Sequence, residues 1–170
     1  MEKDEMISDL GILCDEYKEW IENEEKKISD LKVNSFIETA KKQIQLCKRC
    51  LERMLSGIDL LKNNEKVLKA FQLANKAMLM QQLHYKLPLS EFEKYSNFSF
   101  VMKKRITMPD FSDESTWYNP TGKILYGKWR PFQLAFILLN LNSVFDKESI
   151  ERDIVDLIWF PTGGGKTEAY

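Results

Sequence analysis

The sequence predicts a mainly α chain. An N-terminal antiparallel helical bundle over 1–85 is followed by an irregular connector over 86–128. Residues 129–170 then supply the helix, strand and glycine-rich loop that begin a truncated α/β domain. Three observations predict this. A nine-position apolar stripe runs from Val33 to Leu61, prolines and glycines break any period between Pro88 and Gly127, and a short β-branched and aromatic run leads into Thr162-Gly163-Gly164-Gly165.

The first helix repeats Met6, Leu10, Leu13, Tyr17 and then Trp20 or Ile21 at three- and four-residue steps. The second carries Val33, Ile37, Ala40, Ile44, Cys47, Leu51, Met54, Ile58 and Leu61. Alternating steps of 4 and 3 keep all nine on one helical stripe. So strict a repeat marks a long helix buried against antiparallel neighbours, or a coiled-coil seam. Asn63-Asn64 interrupts it. A third helix from about 65 to 82 turns Val67, Leu68, Phe71, Ala74, Met78 and Leu79 inward. Helices one and three are expected to cover the stripe of helix two.

Pro88, Pro109, Pro120, Gly122 and Gly127 punctuate the connector, with a short strand expected at 99–103 or 124–126. A structureless loop of that length is unusual in a compact domain, so it packs across a surface or its packing partner lies outside this chain. Order returns at Trp129. Pro131 suits the first turn of a helix that continues through Phe136, Ile137, Leu139 and Leu141 to about Asn142. A polar connection over 146–153 precedes Ile154, Val155, Leu157, Ile158, Trp159 and Phe160, whose length and composition favour a strand buried in a parallel sheet.

The bulk numbers exclude some classes. A chain of 170 residues buries one core or two small ones. The net charge of −1 gives no global argument for nucleic acid or membrane, but its distribution is uneven. Residues 1–30 carry four basic and eleven acidic groups, residues 31–130 eighteen and nine, and the last forty three and six. A basic middle is compatible with a DNA-facing segment, or with attraction to the acidic head. The acidic N-terminus lacks the features of a secretory signal, and LAFILLNL falls short of the roughly 20 residues that span a bilayer. Three cysteines argue for a reducing compartment, with the cytoplasm as the expected location and no membrane partner.

The loop carries the chemistry. The phosphate-binding pattern G-x-x-x-x-G-K-[ST] places its second glycine at Gly165, followed by Lys166 and Thr167. Gly163 and Gly164 leave room for backbone N–H groups to curl around phosphate oxygens. Lys166 would reach the β- and γ-phosphates, and the Thr167 hydroxyl would bind Mg²⁺ bridging them. The pattern's first glycine falls on Phe160, a departure.

Thr162-Gly163-Gly164-Gly165-Lys166-Thr167 resembles the phosphate loop of superfamily-2 helicases. Trp129-Arg130-Pro131-Phe132-Gln133 resembles the adenine-recognition helix of the same enzymes, with Gln133 33 residues before Lys166. The blocks AFQLANKAMLMQQ at 70–82, WRPFQLAFILLNL at 129–141 and DLIWFPTGGGKTEAY at 156–170 resemble the DrmA family, the helicase subunits of the DISARM anti-phage system.

The resemblance implies a RecA-like P-loop domain and ATP held by Arg130, Gln133, Thr162, Gly163, Gly164, Gly165, Lys166 and Thr167. It also implies Mg²⁺ on Thr167 through the nucleotide, DNA as substrate, and a partner subunit and a DNA methyltransferase as companions. No catalytic set is complete here: the Asp-Glu pair and the arginine fingers of such enzymes lie after the loop, and only Glu168, Ala169 and Tyr170 follow Thr167. The chain therefore reads as the N-terminal part of a longer helicase, inactive alone. The alternative is a stand-alone helical interaction module with a vestigial loop.

Other candidates are weaker. Cys47-x-x-Cys50 could join Cys14 and His84 around zinc, but a mid-helix pair on the stripe reads as packing. His84 has no nucleophile at a suggestive spacing. Lys41, Lys42, Lys48, Arg49 and Arg53 can share the helix face opposite the stripe, as a solvated face or as phosphate contacts. Lys103, Lys104 and Arg105 are the stronger nucleic-acid candidates, with Tyr95, Phe98 and Phe100 nearby for base stacking.

Overall fold

The computed structural model describes residues 3–85, 92–103, 113, 128–159 and 165, with the side chains of 83–85 outside that description. It is mainly helical. The chain divides into two compact units, residues 1–70 with 129–170, and residues 71–128.

In the first unit, α1 (Lys3–Lys27) starts with Asp4 and Glu5 and ends with Lys26 and Lys27, each charge favourable to the helix dipole. Met6, Leu10, Cys14 and Ile21 are buried, whereas Trp20 is half exposed and stacks on Tyr17 with ring centroids 5.8 Å apart. A 3-10 turn, Ile28–Asp30, leads to α2 (Asn34–Asn63). Its 30 residues make a rod of about 45 Å. Lys48 pairs with Glu25 at 2.8 Å, and Lys3 donates to the Lys62 carbonyl at 2.7 Å. These contacts bring early α1 to late α2 and late α1 to middle α2, which makes the pair antiparallel as expected.

The stripe of α2 is buried in a gradient. Val33 is exposed and Ile37 and Ala40 half-buried, while Met54, Ile58 and Leu61 are fully inside. Arg53 and Gly57 are buried as well, on a second side of the helix. There α4 (Pro131–Phe145) packs along it.

This corrects the expected bundle: α4 is the helix that joins α1 on α2. Its composition explains the choice, because no residue from Phe132 to Ser143 is exposed and a helix apolar nearly all round needs cover on more than one side. The expected third helix does form as α3 (Glu65–Tyr85), capped by Asn64, whose Oδ1 accepts from the Lys66 and Val67 N–H groups at 3.1 and 3.2 Å. Only its opening residues, with Val67 and Leu68 buried, lie in the first unit. Ala74, expected inward, is exposed.

After α4, a 3-10 turn (Ile150–Asp153) occupies the expected polar connection. Residues 154–159 carry no sheet partner among the described residues, and their burial alternates, with Ile154, Asp156 and Ile158 facing in and Val155, Leu157 and Trp159 exposed. Among the described residues, the expected strand is thus not part of a sheet.

In the second unit, the expected strand at 99–103 appears as β2 (Ser99–Met102), antiparallel to β1 (Phe92–Ser96). A bulge between Lys94 and Ser96 precedes the turn. The alternative strand at 124–126 lies outside the described residues. No helix among the described residues is long and apolar enough to cross a membrane.

Candidate functional site

The first turn of α4 brings two sequence candidates into one geometry. Pro131 occupies the start of the helix, where its missing N–H costs nothing. Gln133, two positions on, is only 4% exposed. Its Oε1 accepts from the Arg130 N–H at 2.7 Å, and its Nε2 donates to the Gly165 carbonyl. Gly165 has φ 81°, the left-handed region that favours glycine. The expected adenine-recognition residue therefore lies against Gly165, with both ends of its amide engaged.

Arg130 is exposed at the cap position of α4. Thr162, Gly163, Gly164, Lys166 and Thr167 lie outside the described residues, as do Lys104, Arg105 and Phe160.

Beneath this pair is a buried charge network absent from the sequence reading. Arg53 of α2 is 5% exposed. Its Nη1 and Nη2 donate to the two carboxylate oxygens of Asp156, each at 2.8 Å, and Nη2 also donates to the Leu139 carbonyl of α4 at 3.0 Å. Its Nε lies 3.5 Å from Glu151 Oε2, an attraction of charges in which neither atom makes a hydrogen bond. The Asp156 bond raises the guanidinium's proton affinity further, against the opposing effect of burial.

The reading of Arg53 as one of a set of solvated or phosphate-facing cations is overturned: a bidentate carboxylate match satisfies its fork inside the protein. Lys48, from the same set, is taken by Glu25. Two sequence signals existed. Arg53 directly precedes the buried Met54, and Asp156 is the one charge within the apolar run 154–160.

Between α1, α2, α4 and residues 156–159 is a cavity of about 430 Å³, lined by groups that include Tyr17, Cys50, Phe132 and Trp159. Burial pushes the Tyr17 hydroxyl's pKa well up, and a hydrogen bond with Cys47 adds to it. Burial also raises the Cys50 thiol, with Arg53 opposing, and raises Cys14, helped by Asp15. All three thiols are free, and no group of three or more His, Cys, Asp or Glu among the described residues could hold a metal.

Of the nucleic-acid candidates, the aromatic ones lie on the hairpin. Tyr95, Phe98 and Phe100 are 80%, 99% and 66% exposed, and Lys103 follows β2 into solvent. The Ser96 and Ser99 hydroxyls bond at 2.7 Å across the turn that presents Phe98.

No protein-family model matches this chain. Over 98% of its length it is 37% identical to the DISARM protein DrmA of Bacillus paralicheniformis. The chain is a relative of DrmA. It spans 13% of that protein's length, and the similarity covers the helices of 1–62 as well as the three blocks that carried the resemblance.

Proposed function

We propose that the chain is a segment of an ATP-dependent DNA helicase or translocase of a bacterial anti-phage defence system, and that it supplies the adenine- and phosphate-binding start of the motor. The observation that carries this reading is the Gln133 amide bonded to Gly165, one residue from each of the two candidate nucleotide-binding elements. Arg130 and Gln133 take the adenine side. Thr162, Gly163, Gly164, Gly165, Lys166 and Thr167 take the phosphates, with Mg²⁺ on Thr167. When bound, ATP with Mg²⁺ supplies the free energy of phosphoryl transfer.

The similarity to a DISARM protein supports DNA as substrate and a partner subunit and DNA methyltransferase as companions. Within the chain, DNA contact falls to Lys103, Lys104 and Arg105, with Tyr95, Phe98 and Phe100 as stacking surfaces. Hydrolysis itself is assigned to the remainder of a DrmA-sized protein.

The test is capture of the product from its native cells with an antibody to α1, followed by intact mass and ATPase assay. The expected mass is several times 20.0 kDa, with DNA-stimulated ATP hydrolysis that Lys166→Ala abolishes. A 20.0 kDa product that binds no nucleotide would overturn the reading and leave a helical interaction module.

A further inference from the structure

The geometry points to Arg53 as a positioning residue for the phosphate loop: it locks the segment that enters the loop to the helix that carries Gln133. This inference deepens the nucleotide-site reading above and rests on it. Two facts converge on one side chain, and a third involves the same helix. Arg53 belongs to α2, far from the loop in sequence, yet both of its terminal nitrogens reach Asp156, four residues before Phe160. One of those nitrogens simultaneously holds the Leu139 carbonyl, so segment and helix are fixed to each other through a third element. The helix that carries Leu139 also reaches the loop itself, where Gln133 bonds Gly165. Helix α4 is therefore joined to Asp156 through Arg53 of α2 and to Gly165 through Gln133.

The chemistry suits positioning better than stability. A buried ion pair roughly breaks even against apolar residues of similar volume, so burial energy alone does not call for Arg and Asp here. A bidentate guanidinium–carboxylate fork fixes distance and angle together, which two apolar side chains do not. Residues 154–159 have no sheet partner among the described residues to fix them otherwise. Phosphate binding through backbone N–H groups depends on the loop's placement, and small displacements at such a site cost large factors in rate or affinity. The N-terminal helices thereby acquire a role in nucleotide binding, since whatever shifts α2 shifts Asp156.

The test uses Arg53→Met, Arg53→Lys and the apolar pair Arg53→Met/Asp156→Leu. In the 170-residue chain, the NMR order of the Ile154 and Ile158 methyls is expected to drop in Arg53→Met, and less in Arg53→Lys. The apolar pair is expected to regain the urea midpoint lost in the single variant without regaining that order. In the native-length protein, the KM for MgATP is expected to rise at least about tenfold in Arg53→Met and in the apolar pair, with kcat little changed.

Recovery of methyl order together with stability in the apolar pair would overturn the proposal, because the ion pair would then be a replaceable filler. So would an unchanged KM in a native-length protein that does bind ATP. If the unmodified protein binds no nucleotide, the nucleotide-site reading fails, and with it the inference that Arg53 serves that site. The methyl order then reports only whether Arg53 fixes residues 154–159.

Discussion

Gly57 of α2 lies directly under the main chain of Leu138 in α4. A Cβ at position 57 would come within 3.1 Å of the Leu138 carbonyl carbon and closer still to its oxygen. The crossing of the two helices depends on that missing side chain, and it sets the depth at which Arg53, four residues earlier, meets Leu139.

Gly57→Ala tests this with a competition of known sign. In an ordinary helix the change stabilises by about 1 kcal/mol. Here the obstacle is backbone, which cannot rotate away, and overpacking costs about 1–3 kcal/mol. The expected net result is a loss of up to about 2 kcal/mol in urea unfolding. Gly11→Ala in α1 is the control, since a Cβ there meets nothing within 4 Å and should stabilise or be neutral. A stabilised Gly57→Ala would show that α2 and α4 do not approach this closely.

Stability should also fall in alkali. Cys14 and Tyr17 both have folded-state pKa values raised, chiefly by burial. A raised pKa means that the folded state holds the proton more tightly than the unfolded chain. The resulting stabilisation is complete below the unfolded values, about 8.5 for Cys and 10 for Tyr, and declines as pH climbs past them. Urea midpoints measured from pH 7 to 11 should decrease first through the range of the buried Cys14 and half-buried Cys50 thiols and more steeply above pH 10. Tyr17→Phe should flatten the upper part and leave the lower part unchanged. A slope above pH 10 that is the same in both proteins would exclude Tyr17 as its source.

The exposed side of residues 154–159 predicts self-association. Val155, Leu157 and Trp159 are 94%, 82% and 89% exposed on a segment whose backbone has no sheet partner among the described residues. Apolar side chains on an unpaired extended segment form a template for another chain. Sedimentation of the 170-residue chain should show concentration-dependent association, and Leu157→Lys/Trp159→Lys should reduce it. Substitutions at such exposed positions should alter folding stability by no more than about 0.5 kcal/mol. A protein that stays monomeric at high micromolar concentration would show that this face is protected.

The helices were legible in the sequence because a 3.6-residue period is a local signal, and so was β2 within a stretch broken by proline and glycine. The partner of α2 was not. Periodicity identifies which face is apolar but carries no address, and α3 was favoured for being next in sequence. What marked α4 was its breadth: a helix apolar on every side requires two neighbours, and Gly57 showed where one backbone comes close. Gln133 was marked in the sequence by its motif and its spacing to Lys166. Arg53 was not, because a cation among Lys48 and Arg49 looks like one more solvated charge until Asp156, 103 residues later, is placed beside it. Ion pairs between distant positions have no local pattern.

Gln133 offers the most direct way to separate packing from recognition. Its amide bridges Arg130 and Gly165. Gln133→Ala removes both bonds and leaves the Arg130 N–H and the Gly165 carbonyl without those partners, at a cost of about 1–3 kcal/mol for each group that stays buried. Gln133→Glu keeps the acceptor for Arg130 N–H but loses the donor to Gly165, so it should lie between the unmodified protein and Gln133→Ala in stability. Nucleotide preference should behave differently. An adenine edge offers a donor and an acceptor side by side, and only an amide answers both. Both variants should therefore lose discrimination between ATP and GTP to a similar degree in the native-length protein, by about 1–3 kcal/mol, although their stabilities differ. If discrimination instead follows stability through the series, Gln133 acts by holding the loop and not by reading the base.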